Sequence, residues 1–142
     1  MDDLIKRAAA DLAQANMVTA LTGAGASIES EIPAFRGKGG LWEKMDPMEV
    51  AHIDAFLKDP AKVWRLLIKE MKDVVDRAQP NDCHKGLARL EELGKLQTVI
   101  TQNIDGLHQM AGNSDVIEFH GTFAWQRCME CNTHIETRRV DR

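Results

Sequence analysis

The sequence predicts an α/β protein built on a doubly wound parallel sheet, and three observations carry that expectation. Apolar runs of strand length occur at 17–21, 96–100 and 116–119. Segments with helical periodicity lie between them, the alternation that lays strands side by side in parallel. Each run leads directly into residues that bear chemistry: Thr22-Gly23-Ala24-Gly25-Ala26-Ser27 after the first, Thr101-Gln102-Asn103-Ile104-Asp105 after the second, and His120-Gly121 after the third. Ligands of open α/β sheets bind outside the carboxyl ends of the strands, which is where these residues would stand.

The elements follow in chain order. Leu4, Ile5, Ala8, Ala9, Leu12 and Ala13 share one face at helical spacing, so residues 3–15 form an amphipathic helix. The short buried strand at 17–21 then runs into the glycine loop. Residues 28–42 lack periodicity and contain a proline and glycines at 37, 39 and 40, which predicts a long flexible loop of the kind that serves as a lid. Asp59-Pro60 is an N-cap followed by proline at the first helical position, and Val63, Trp64, Leu67, Ile68, Met71, Val74 and Val75 continue as an apolar stripe. Pro80-Asn81 separates that helix from the next, whose buried face is marked by Leu87, Leu90 and Leu93 and whose end is set by Gly94 in a left-handed turn. The second strand, a short helix around 106–110 and the third strand complete the pattern.

Composition bounds what the chain does. With 142 residues, 44% of them hydrophobic, it has material for one modest core and reads as one globular unit. A formal charge of -4 supplies no basic face for phosphate neutralisation, so non-specific nucleic-acid binding is not expected. Residues 1–16 mix charges with alanine and leucine and never reach the apolar run of a signal peptide or a membrane span, so the expected protein is soluble, cytoplasmic and without a membrane partner. Three cysteines, two of them in Cys128-Met129-Glu130-Cys131, suit a reducing compartment and a metal or redox role, with Cys83 as a small apolar filler.

Each chemical motif has a plainer reading beside it. Gly23-Ala24-Gly25-Ala26-Ser27 lets backbone amides approach a pyrophosphate, yet without the third glycine of the dinucleotide fingerprint the motif taken alone fits a structural turn better. Phe35-Arg36-Gly37 pairs an aromatic face, suited to a flat ring, with a guanidinium suited to phosphate; packing of the loop back on the core accounts for it equally. Asn103 and Asp105 can fix a carboxamide or a ribose hydroxyl, or form an Asx turn. His120 can act as a general base, since an imidazole exchanges protons near neutral pH, or sit in the core on a backbone partner. Cys128 and Cys131 have zinc-knuckle spacing, with His134 as a candidate third ligand; a redox pair is the competitor, but such a pair opens a helix, whereas turn-like residues and Ile135-Glu136-Thr137 suggest a ribbon.

Taken in order, these residues resemble the sirtuins, the NAD-dependent protein lysine deacylases, over essentially the whole chain and the N-terminal half of that family's catalytic core. The resemblance is carried by Gly23 to Ser27, by Ile32-Pro33-Ala34-Phe35-Arg36-Gly37 and Gly40-Leu41-Trp42, by Pro80-Asn81 with His84, by Thr101 to Asp105 with Gly106-Leu107-His108, and by Glu118-Phe119-His120-Gly121. It implies a Rossmann-like NAD-binding domain over residues 1–122, with a cofactor loop at about 28–45, and the start of an inserted zinc-ribbon module over 123–142. It also implies that NAD is a co-substrate: an acyl-lysine carbonyl oxygen attacks the nicotinamide ribose, nicotinamide leaves, and the acyl group moves to ADP-ribose. Carried over, His120 is the general base and Asn103 is catalytic with it. Gln102 and Asn103 face the ribose, Ile104 and Asp105 the carboxamide. Phe35 shields the ring, Arg36 holds the phosphate side, and Gly23, Ala24, Gly25, Ser27 and Trp42 complete the cofactor site. Cys128 and Cys131 are half of a structural zinc site.

The chain departs from the family pattern at Glu31, where glycine is usual, and at Ala34, where aspartate or threonine is common. The helix with Leu67 and Glu70 lacks the tyrosine and arginine of succinyl-selective members, which favours neutral acyl groups such as acetyl. Only 11 residues follow Cys131, none of them cysteine, so the expectation is a truncated product or a portion of a longer chain, with an open sheet edge that invites association. Two further readings stand beside the deacylase: a remnant that binds NAD, ADP-ribose or partners without turnover, and a mono-ADP-ribosyltransferase.

Overall fold

The computed structural model describes residues 2–37 and 39–137, and the side chains of Leu67, Lys69 and Glu70 lie outside that description, as do residues 138–142 of the expected ribbon module. The described chain divides into two compact units, one formed by the residues up to Gly23 together with those from Pro80 onward, the other by Ala24–Gln79.

The first unit holds the sheet. Strands β1 (Thr19–Thr22), β2 (Thr98–Thr101) and β3 (Val116–Glu118) lie in the order β1-β2-β3, and both pairings are parallel. Register decides what the sheet presents: Thr22 pairs with Thr101, and Thr101 with Glu118. The three chains therefore leave the sheet at one level. Paired residues share a face, so Ala20, Val99 and Val116 form one row and Leu21, Ile100 and Ile117 the other. Val99 is fully buried, whereas Leu21 is 72% and Ile117 50% exposed, so β1 is not the buried strand its composition predicted.

Helix α1 (Asp2–Gln14) has the predicted amphipathic pattern but no buried residue, and Leu4 is 72% exposed. Its end is tied down by Lys95 Nζ, which donates to the Ala13 carbonyl at 2.7 Å. Helix α6 (Asp82–Glu92) begins where Pro80-Asn81 predicts. Asn81 Oδ1 accepts from the Cys83 amide at 2.9 Å and the His84 amide at 3.4 Å, while His84 Nδ1 lies 3.3 Å from the Asn81 amide, so a histidine completes the capping box where glutamate usually does. The helix ends at Gly94, φ 67°, whose amide reaches the Glu91 carbonyl at 2.8 Å. Its buried residues are His84 and Ala88; Leu93 is exposed, because it falls on the C-cap, beyond the packed face, and Cys83 is exposed rather than a core filler.

Helix α7 (Leu107–Ala111) crosses from β2 to β3. Beyond them β4 (Trp125–Arg127) and β5 (His134–Glu136) pair antiparallel as a two-stranded ribbon.

The second unit is helical. A 3-10 helix, Ala24–Ser30, takes in the glycine loop and the first residues of the segment expected to be a long flexible loop from residue 28. After a second 3-10 turn at Leu41–Glu43 come α2 (Pro47–Val50), α3 (Ile53–Lys58) and α4 (Pro60–Val63). Each starts at a side-chain cap: Asp46 on the Met48 amide, His52 on the Asp54 amide and Asp59 on the Lys62 amide. The predicted apolar stripe is not one continuous α-helix; a π-helical stretch, Trp64–Ile68, separates α4 from α5 (Lys69–Arg77). Ile32, Val50, Val63 and Met71 are buried in this unit.

Candidate functional site

The strand exits of the first unit are joined by a short chain of hydrogen bonds. The Gln102 amide donates to the Thr22 carbonyl at 3.0 Å, and the Phe119 amide donates to the Thr101 carbonyl at 2.8 Å, each extending the parallel ladder by one residue. Asn103 is buried, and its Nδ2 donates to the Gly23 carbonyl at 3.1 Å. The backbone turns sharply here because Thr101 Oγ1 accepts from the Asn103 amide at 3.0 Å. Gly23 is tightly placed: a Cβ there would come within 3.3 Å of the Gln102 side-chain nitrogen.

Asp105 Oδ1 accepts from the Leu107 amide at 3.0 Å and so starts α7. Ile104 is half-buried, and its carbonyl accepts from the Phe123 amide at 2.9 Å. At the third exit the Gly121 amide closes a turn on the Glu118 carbonyl at 3.1 Å, with Phe119 and His120 at its corners. Both are exposed, their rings edge to face at 5.1 Å. His120 is therefore not a core histidine. Gly23, Gln102, Asn103, Ile104, Asp105 and His120 all follow strands that end at one level, so an amide, a carboxylate and an imidazole stand along one carboxyl edge.

Two side chains not singled out from composition lie beneath that edge. His108, on α7, is buried, and its Nε2 lies 2.9 Å from Thr22 Oγ1. His84, on α6, is fully buried, and the two rings meet edge to face at 4.8 Å. Burial pushes both imidazoles below their ordinary pKa, and the positive charge that His84 would carry lowers His108 further; the Asp105 carboxylate pulls both weakly the other way. Among the described residues His108 Nδ1 has no hydrogen-bond partner, an arrangement that costs about 1–3 kcal/mol in a buried group. The signal for His84 lay in its place three residues after the N-cap Asn81; nothing in the pattern of residues 106–111 marked His108 as buried.

In the second unit Ala24, Gly25 and Ser27 lie in the 3-10 helix, with Ser27 buried. Glu31 follows that helix at φ 65°, its amide 3.0 Å from the Ile28 carbonyl, a left-handed conformation that glycine takes without the cost of a β-carbon. The chain then doubles back. Leu41 and Trp42 amides donate to the Ala34 and Phe35 carbonyls at 3.1 and 2.9 Å, and the Phe35 and Trp42 rings stack at 5.3 Å. Arg36 is exposed beside this stack.

Cys128 and Cys131 occupy the turn between β4 and β5, not the start of a helix, which disfavours the redox reading. The Cys128 amide donates to the Thr133 carbonyl at 2.9 Å, and Asn132 takes φ 58° at the tip. Contact with the Thr133 hydroxyl at 3.1 Å, then with the Thr133 backbone and Cys128, lowers the Cys131 thiol to about 7, so thiolate is accessible at neutral pH. Two thiols on a knuckle fit half of a tetrahedral zinc site. Among the described residues no cluster of three metal-ligating side chains forms, so His134 does not join the pair.

Known proteins resemble this chain over most of its length. The Sir2 family model matches residues 23–142. An NAD-dependent protein deacylase 1 from Archaeoglobus fulgidus is 49% identical over 125 residues, covering 88% of this chain and 51% of the relative. A solved Sir2 homologue in complex with NAD superimposes with a TM-score of 0.80 at 49% identity, over 88% of this chain and 48% of the other. A Sir2 protein solved with a deacetylated p53 peptide and 3'-O-acetyl ADP-ribose gives 0.83 at 40% identity, over 89% and 51%. The chain spans about half the length of the curated relatives it matches. With the glycine turn, the second and third strand exits and the ribbon inside the matched residues 23–142, the chain belongs to the Sir2 family.

Proposed function

We propose that this chain is the NAD-binding part of an NAD-dependent protein deacylase that transfers the acyl group of acyl-lysine to ADP-ribose. The observation that carries the reading is the common level at which Thr22, Thr101 and Glu118 end their strands, since it sets Gly23, Asn103, Asp105 and His120 along one edge. Support comes from relatives named as deacylases and from neighbours solved with NAD and with a deacetylated peptide.

Within this reading NAD supplies an anomeric carbon whose nicotinamide is a good leaving group. His120, exposed at its turn, takes a ribose hydroxyl proton on an imidazole nitrogen as the acyl group moves. Asp105 and Ile104 meet the carboxamide, Gln102 and Asn103 the ribose, and the Asn103 bond to Gly23 holds the turn near the phosphates. Phe35 shields the ring and Arg36 holds the phosphate side, with Trp42 backing Phe35. Residues 1–122 form the dinucleotide-binding part with its loop at about 28–45, and 123–142 the zinc-ribbon module, in which Cys128 and Cys131 hold the metal structurally. Substrates are acyl-lysine proteins or peptides, with neutral acyl groups preferred. No helix among the described residues is long and apolar enough to cross a membrane, and with the three cysteines free we assign the protein to the cytoplasm.

Incubating the purified chain with NAD and an acetylated peptide tests the reading. Nicotinamide release matched by deacetylation supports it. Binding of NAD without turnover would make the chain a binding module, and transfer of label from NAD onto protein would make it a mono-ADP-ribosyltransferase.

A further inference from the structure

We propose that His108 is a positioning residue of the strand-exit site, holding the peptide that joins Thr22 to Gly23 against the loop at 103–105. The functional consequence rests on the dinucleotide reading above; the restraint itself does not.

Two side chains from the second strand exit bond the two residues that flank that peptide. Asn103 Nδ2 bonds the Gly23 carbonyl at 3.1 Å, and His108 Nε2 meets Thr22 Oγ1 at 2.9 Å, one residue before the glycine. The backbone adds the Gln102 amide on the Thr22 carbonyl at 3.0 Å. Thr22 is the last ladder residue of β1, so His108 acts at the point where the sheet ceases to hold the chain.

The imidazole's direction is set from outside the loop. Its edge meets the His84 ring at 4.8 Å, and His84 is anchored by Asn81 at the start of α6. Asp105 starts α7 by accepting from the Leu107 amide at 3.0 Å, so one short segment ties Asp105 and His108 together. His108 is buried, and among the described residues its Nδ1 has no partner, so stability alone favours an apolar side chain at this place. A buried polar group kept at such a cost beside a candidate site is what a positional role requires. A turn already held needs no ordering when a ligand arrives, and the saving appears as affinity.

The test uses Thr22→Val, His108→Leu, their double variant, His108→Gln, whose amide nitrogen reaches the place of Nε2, and His108→Asn, which reaches only that of Nδ1. Calorimetric titration with NAD should show each single loss at about tenfold, the double variant no weaker than either, recovery in His108→Gln and none in His108→Asn. Without NAD, hydrogen exchange at the Gln102 amide should quicken in Thr22→Val and His108→Leu and return to normal in His108→Gln. Multiplying losses in the double variant, Thr22→Val within about twofold of the parent chain, or unchanged Gln102 exchange would each overturn the proposal. Should the parent chain not bind NAD, the dinucleotide reading falls, and the exchange measurement alone decides whether His108 positions Thr22. If His108→Leu does not fold, Thr22→Val, which leaves the buried imidazole in place, decides both measurements.

Discussion

Asn103 and Gly23 lie 80 residues apart in the sequence, and the side-chain amide of the first donates to the carbonyl of the second at 3.1 Å. The bond is possible because β1 and β2 end in register, with Thr22 opposite Thr101. It converts two separate loop motifs into one edge, and His120 joins that edge through β3, whose Glu118 stands opposite Thr101.

If His120 moves a proton and does not hold the dinucleotide, His120→Ala should keep NAD affinity within about threefold while deacetylation falls by at least a hundredfold, the usual scale of general-base loss. Paired binding and turnover measurements on an active preparation check this. Full turnover in the variant would remove His120 from the mechanism.

Stability should fall with pH in two windows. His84 and His108 titrate lower in the folded state than unfolded, so their contribution is complete above the ordinary value of 6.5 and is lost as pH drops below it toward the folded values. Glu91 is held below the ordinary 4.5 first by the Ser114 hydroxyl, then by the Asn113 amide and the Ser114 backbone, so its contribution is lost only below that value. Thermal melts across pH 3–8, an interval of about 5 units chosen to span both ordinary values, should show two declines, and Glu91→Gln should flatten the lower one alone.

Glu31 holds φ 65° at the end of its 3-10 helix, where a β-carbon is disfavoured. Glu31→Gly relieves that strain but adds freedom to the unfolded chain, for a net gain of roughly 0.5–1 kcal/mol. Denaturant unfolding should show the gain in Glu31→Gly and none in Glu31→Ala, which keeps the β-carbon.

Gly40 has the opposite constraint, since its φ is ordinary but its space is not. A Cβ there would lie 2.9 Å from the Phe35 and Gly37 carbonyl oxygens and 3.0 Å from that of Ala34. These are backbone atoms that cannot rotate away, so Gly40→Ala should cost about 1–3 kcal/mol and separate the Phe35 and Trp42 rings. Tryptophan emission reports the separation; an unchanged spectrum with unchanged stability would contradict it.

Much of this was legible along the chain, because it depends on local rules. Apolar runs and helical periodicity place β1, β2, β3, α1, α6 and α7 to within a few residues, whereas α2 and α3 were not anticipated. Asp59 and Asn81 mark helix starts because their side chains satisfy the first amides, and Gly94 marks an end because it tolerates a left-handed turn. The motif residues at 23–27, 101–105 and 118–121 likewise name the family before any coordinates. Other features depend on which distant residues meet. The π-helical stretch at Trp64–Ile68, the exposed face of α1 and the folded-back loop closed by Phe35 and Trp42 have no local signature. Nor does the buried contact of His84 with His108, since burial is a property of packing between α6 and α7 rather than of either sequence segment. Sequence alone determined which chemical groups follow each strand. Only the tertiary structure decided that they emerge side by side, because parallel register is set by hydrogen bonds between strands far apart along the chain.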